Sequence, residues 1–262
     1  MSDELTPQGR FAEIAREDGR GAVVTILEGA NAGAKMLVEP DGSRRGSLGS
    51  PELDDEAARH ADELMWSERS EQRGNLFIDV TFPAPRLIIF GAIDFAAQLC
   101  TLARTSGWRP YVVDPRGFFA RPDRFPDAEE VVAAWPQEAF DRIGGIDRAT
   151  SIAVLTHDPK LDDAVLKIAL RSDAQYIGAM GSRRAQEKRR ERLLAEGLTD
   201  EELGRLAAPI GLDIGALSAA ETAISIMGEI TAVRRGREGG RLKTVKGRIH
   251  DAVSDREAAP AG

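Results

Sequence analysis

The chain has 262 residues, enough for one large core or two modest ones. With 42% hydrophobic and 30% charged residues it reads as a soluble globular protein, and a net charge of -8 argues against nucleic acid, because neutralising phosphates takes a basic surface. No run of about 18 apolar residues is present to cross a membrane. The single cysteine, Cys100, cannot form an intrachain disulfide, no Cys/His cluster offers zinc its ligands, and no export signal opens the chain; the expected setting is a reducing cytoplasm.

In chain order, residues 22–27 and 34–38 read as strands joined through Gly29-Ala-Asn-Ala-Gly33, with a turn at Asp41-Gly42. Leu53, Ala57, Ala61, Leu64 and Met65 recur at helical spacing and predict a helix over 53–69, and a further strand is expected at 76–80. Pro83 and Pro85 break regular structure and close an expected small α/β domain at residues 1–82. From Arg86 onward, strands are expected at 86–90, 109–113, 151–156 and 175–180, with a weaker one near 130–133. Helices are expected over 95–106, 160–171, 183–196, 200–207 and 219–235, the last opened by the capping-box pattern Ser218-Ala-Ala-Glu221 and stopped at Gly236. This alternation predicts an α/β fold with a Rossmann-like parallel-sheet domain at 83–237. Residues 238–262 lack periodicity and are expected to form a flexible tail.

Such a sheet binds ligands at the carboxyl ends of its strands, so the turns there carry the functional reading. Gly91 and Ala96 fit the first and third positions of the G-x-G-x-x-G/A phosphate turn, but Ile93 holds the second, where a β-branched side chain fills the space of the phosphate. Asp94 places a carboxylate at the start of the helix, where it opposes an anion and suits a helix cap. Asp114 ends the next strand and is either an acceptor for a ligand hydroxyl or one half of an Asp-Pro turn.

A second turn, Gly178-Ala-Met-Gly-Ser-Arg-Arg184, opens the helix at Ser182. Arginines are unfavourable in a first helical turn, so Arg183 and Arg184 fit a bound anion there, with Gly181 and Ser182 completing the cradle. Alternatively they begin a solvated basic face that continues through Lys188, Arg189, Arg190 and Arg192. His157 closes another strand, where it serves either a proton or an anionic ligand; Asp158-Pro159 reads as an N-cap. Asp213, in the loop Pro209 to Gly215, borders the pocket or turns the chain. Cys100 lies among Ala96, Leu99 and Ala103 and reads as core; His60 and His250 show no partners.

Taken together, Leu87-Ile-Ile-Phe-Gly-Ala, Val113-Asp-Pro-Arg116, Arg124-Phe-Pro126, Leu155-Thr-His-Asp-Pro159, the Gly178–Arg184 turn and Pro209-Ile-Gly-Leu-Asp-Ile-Gly-Ala216 resemble the XdhC/CoxI family over about residues 20 to 236. The resemblance implies an accessory protein that binds the molybdenum cofactor, as molybdopterin or its cytosine dinucleotide, and inserts it into an apo molybdenum hydroxylase of xanthine dehydrogenase or carbon monoxide dehydrogenase type. It also implies a homodimer and contact with a cysteine desulfurase or sulfurtransferase. Cofactor-binding residues are then expected at Gly181, Ser182, Arg183, Arg184, His157, Asp114, Gly91 and Asp213, with no catalytic residue and no resident metal. Where family members carry Gly-Ala-Gly-His and Gly-Gly-Cys, this chain has Gly91-Ala-Ile-Asp94 and Gly46-Ser-Leu-Gly-Ser50, which weighs against a ligand at the first turn and against sulfur handling by a cysteine. The competing function is an NAD(P)-dependent oxidoreductase with His157 as acid or base.

Overall fold

The computed structural model describes residues 6–244, which divide into two compact units, one of residues 6–83 with 241–244 and one of residues 84–240. In the first unit the chain runs α1 (Pro7–Arg16), β1 (Gly21–Ile26), β2 (Lys35–Val38), β3 (Arg44–Gly46), α2 (Pro51–Ser67), β4 (Glu71–Arg73) and β5 (Leu76–Thr81). The strands form an antiparallel sheet in the order β3-β2-β1-β5-β4. Alternation along β1 sends Ala22, Val24 and Ile26 to the side of α2, where Ala57, Ala61, Leu64 and Met65 bury them, and sends Val23 to Phe11 and Ile14 of α1. Helix α1 lies outside the elements expected from the sequence. It is ten residues long, starts on a Thr6 cap with Pro7 in its first turn, and buries only Phe11 and Ile14, too few apolar positions to register as a periodic pattern.

In the second unit the order is β6 (Arg86–Phe90), α3 (Asp94–Thr105), β7 (Arg109–Val113), β8 (Glu130–Val132), α4 (Pro136–Ile143), β9 (Thr150–Val154), α5 (Pro159–Ala169), β10 (Tyr176–Ala179), α6 (Arg183–Ala195), α7 (Asp200–Gly204), β11 (Leu206–Ala207) and α8 (Ala219–Arg234). All six strands are parallel, in the order β11-β10-β9-β6-β7-β8. That is the doubly wound nucleotide-binding order, with β6 as its first strand and the reversal of winding between β6 and β9. Both faces of β6 are buried, Ile88 and Phe90 under α4 and α5, Leu87 and Ile89 under α3 and α8.

Three expectations change. The strand expected at 151–156 stops at Val154, because Thr156 turns its hydroxyl to Asp162 on α5. The helix expected at 200–207 ends at Gly204, and Leu206–Ala207 instead pairs with Ile177 and Gly178 as an edge strand. Helix α4, unforeseen, begins at Pro136 and ends on Gly144 at φ 91, the left-handed stop that suits glycine. Of the expected tail, Leu242–Thr244 form a 3-10 turn, and residues 245–262, with His250, lie outside the described residues.

Candidate functional site

Four neighbouring strands, β7, β6, β9 and β10, end at one edge of the parallel sheet, a rim about 14 Å across at the usual strand spacing. Every site residue expected in this unit falls on that edge: Gly91 after β6, Asp114 after β7, His157 after β9, Gly181 to Arg184 after β10, and Asp213 in the loop that follows β11.

Gly91 sits at the reversal of winding, with φ 105, and a Cβ there would lie 2.7 Å from Thr156 Cγ2 and 3.1 Å from Thr156 N. Its identity is therefore set by the close passage of the β9 end and by its backbone angle. The next amide, Ala92 N, donates to Asp114 Oδ2 at 3.0 Å. Asp114 is fully buried, and Arg116 closes on it with Nε to Oδ1 at 2.8 Å and Nη2 to Oδ2 at 2.8 Å. Burial opposes the charge of this carboxyl, but the hydrogen bonds from Arg116 and Ala92 outweigh it and hold Asp114 below the usual carboxylate range. The chain thus supplies its own anion to the turn that in dinucleotide enzymes faces a pyrophosphate. Asp114 presents no free oxygen to a ribose hydroxyl, so its expected role as a ligand contact gives way to holding the turn.

Asp94 is the first residue of α3 rather than its cap: Ile93 stands at the cap position without a side-chain hydrogen bond. The Asp94 carboxylate is paired with Arg124 at 3.4 Å, and Arg124 Nη1 donates both to Ala92 O at 2.9 Å and to Phe119 O at 3.0 Å. One guanidinium therefore fastens the loop after β7 to the first glycine turn.

Across the reversal, Asp158 caps α5 by accepting from Lys160 N, with Pro159 following as its first helical residue. His157 is exposed and makes no side-chain hydrogen bond among the described residues. Thr156 donates its hydroxyl to buried Asp162, and Arg189 Nη2 reaches the other oxygen of that carboxylate at 2.7 Å and Met180 O at 3.0 Å. Burial pushes the Asp162 carboxyl up, against the downward pull of Thr156 and Arg189.

Arg189 is the residue that the sequence pattern misassigned to a solvated face: its side chain is 5% exposed. The signal was present, because Arg189 shares a helical face with Leu193, the other buried residue of α6. Of the remaining cations on α6, Arg190 pairs with Asp200, and Arg192 with Asp163 at 2.6 Å. Arg183 and Arg184 are exposed and unpaired among the described residues. They open the helix beside Ser182, whose hydroxyl caps Ala185 N, and Gly181, at φ 137, where a Cβ would press on Gln186 and Ala185 at 3.2 and 3.3 Å. First-turn amides lack intrahelical partners, so this corner presents amides and two unpaired guanidinium groups together.

The loop carrying Asp213 is pinned to α8: Gly211 N donates to Glu229 at 2.7 Å and Ser225 Oγ to Leu212 O at 2.6 Å, while Tyr176 shares the same Glu229 carboxylate. Asp213 itself is exposed. Cys100 is buried on α3, and burial pushes its thiol up to about 12, which removes it as a nucleophile.

This rim, with its self-neutralised first turn and open second turn, sits in a segment that matches a known domain: the XdhC Rossmann domain model covers residues 87–230, and the XdhC and CoxI family model covers residues 14–74. The chain belongs to the XdhC and CoxI family. Among its relatives, a probable component of the xanthine dehydrogenase of Bacillus subtilis is 30% identical over 165 residues, which is 63% of this chain and 48% of that protein. The molybdenum cofactor insertion chaperone PaoD of Escherichia coli is 28% identical over 292 aligned positions, covering 91% of each chain. A crystal structure of a xanthine dehydrogenase from Bacillus halodurans superimposes with a TM-score of 0.61 at 25% identity, covering 87% of this chain and 66% of that one. The chain thus spans 48% of the Bacillus subtilis relative and nearly the whole of PaoD. No helix among the described residues is long and apolar enough to cross a membrane.

Proposed function

We propose that this member of the XdhC and CoxI family binds the molybdenum cofactor as cargo and inserts it into a molybdenum hydroxylase of xanthine dehydrogenase type. The observation that carries the reading is the contrast along α6, where Arg189, Arg190 and Arg192 each hold an aspartate while Arg183 and Arg184, at its amino end, are unpaired among the described residues. Molybdopterin carries a phosphate, or a diphosphate in its dinucleotide form, and a helix N-terminus with two free guanidinium groups suits that anion. Gly181, Ser182, Arg183 and Arg184 take the phosphate, and His157, exposed on the neighbouring strand end, contacts the polar groups next to it. Gly91 shapes the floor of the rim and Asp213 borders it.

The similarity to PaoD over 91% of both chains supports the insertion role, and the two xanthine dehydrogenase relatives support the class of client. The protein works in the cytoplasm as a homodimer. Sulfur for the cofactor comes from a partner desulfurase or sulfurtransferase, because the buried Cys100 thiol is closed to that chemistry.

The test is retention of cofactor by protein purified from a molybdenum-replete host, read as bound pterin and molybdenum. Wild type should carry both, and Arg183→Ala/Arg184→Ala should lose them with an unchanged melting profile. Equal retention by the double variant removes the phosphate site from α6. A wild type with neither pterin nor metal, and no affinity for added cofactor, removes the carrier function.

A further inference from the structure

The loop after β7 carries a feature that the phosphate site leaves unused. Phe118 is 78% exposed, yet its turn is tied down on both sides: Phe119 N and Ala120 N donate to Arg116 O at 2.8 and 3.2 Å, Arg121 N donates to Phe119 O at 2.9 Å, and Arg124 bonds Phe119 O. The Phe118 ring stands edge-on to that of Phe119, with centroids 5.5 Å apart at 81°, and the Arg116 guanidinium lies over Phe119 at 4.6 Å. Arg116 is itself fixed by its bidentate bond to Asp114. A lone exposed apolar side chain needs no explanation. Here the chain orders an aromatic ring, backs it with a second ring and a guanidinium, and straps the whole to the first glycine turn through Arg124.

We propose that Phe118, flanked by Arg116, is the stacking platform for a planar heteroaromatic ring, the pterin or the cytosine of the bound cofactor. The inference rests on the carrier reading and adds where the ring lies. Three observations favour a small ring over a docked protein. The platform stands at the carboxyl end of β7, the place where this fold reads the nucleoside part of a dinucleotide. Its partner cations are committed to fixed positions, so binding orders little that is not already ordered. And two rings offer far less than the roughly 1,000 Å² that a specific protein interface needs. The platform and the Arg183–Arg184 corner are three strand positions apart along one edge, so a ligand laid across the strand ends reaches both.

The experiment titrates the full chain with molybdenum cofactor released from a purified molybdenum enzyme, followed by pterin fluorescence, in wild type, Phe118→Ala and Phe118→Trp. Stacking on one aromatic ring is worth about a 5- to 150-fold change in affinity, so Phe118→Ala should bind weaker by that factor and Phe118→Trp should bind like wild type. Competition by free pterin, lost in Phe118→Ala, assigns the pterin to the platform; competition by cytidine 5′-monophosphate, lost in the same variant, assigns the cytosine. If wild type binds and Phe118→Ala binds equally well, the platform is overturned and the carrier function stands. Should Phe118→Ala keep its cofactor affinity but lose capture of a hydroxylase, the patch is a protein contact and the inference is equally overturned. A wild type that binds no cofactor overturns both readings together.

Discussion

Replacing Arg189 by methionine keeps an unbranched stem in the space on α6 but removes the charge that faces Asp162. The two side chains are 5% and 3% exposed and meet at 2.7 Å, so the variant leaves a carboxylate in the interior with only the Thr156 hydroxyl, and Met180 O loses a donor. Removing one member of a buried ion pair costs about 3–5 kcal/mol. For a unit of this size that is a fall in melting temperature of about 6–20 °C. Asp162 escapes part of the penalty by taking up a proton, which burial already favours, so the loss measured by denaturant unfolding should be smaller at pH 5 than at pH 8. Adding Asp162→Asn to the variant should recover much of the stability, since a neutral amide needs no counter-charge. A loss under about 1 kcal/mol, or one that ignores pH, would mean that Arg189 behaves as a surface cation and that the interior pair does not form.

Two further outcomes follow from the first glycine turn. Gly91→Ala puts a methyl group 2.7 Å from Thr156 Cγ2 on a backbone with φ 105. It should cost about 2–5 kcal/mol, seen as a lower urea midpoint at unchanged slope; a variant as stable as wild type would refute the close passage of β9. Because Asp114 titrates lower in the folded chain than unfolded, it adds stability above the unfolded value of about 3.9 and loses it as pH falls through the lower folded value. Asp114→Asn should therefore flatten the stability profile between pH 5 and pH 3. An identical acid slope in wild type and variant would show that the carboxylate gains nothing from Arg116.

Much of the second unit was legible because apolar runs such as Leu87–Phe90 and Tyr111–Val113 are short, continuous and bounded by turn residues, the pattern of strands buried on both faces. Edge elements were not. β11 is two residues long and owes its existence to pairing with β10, a tertiary contact that local sequence does not encode. At the rim, motif spacing placed the residues on the correct edge but misjudged what they do. Asp114 looked like a ligand group because spacing cannot tell a carboxylate that faces a cofactor from one turned inward onto Ala92 and Arg116. Arg189 was hidden among neighbours of the same charge, and only its position one turn before Leu193 separates it from them. The Phe118 turn carried no periodic signal, and its order comes from Arg124, which reaches it across 32 residues from Ala92.

The outermost strands of both sheets are stubs: β3, β4 and β8 have three residues each and β11 has two. Two of them, β3 and β4, carry Arg44, Arg45, Glu71 and Arg73, and β11 runs within two residues into Pro209, which has no amide hydrogen to offer. So short a row of unsatisfied backbone groups is a poor template for another chain. Self-association by zipping one sheet onto the next is thereby discouraged, and a second copy of this protein would have to be gripped through side chains of helices or loops.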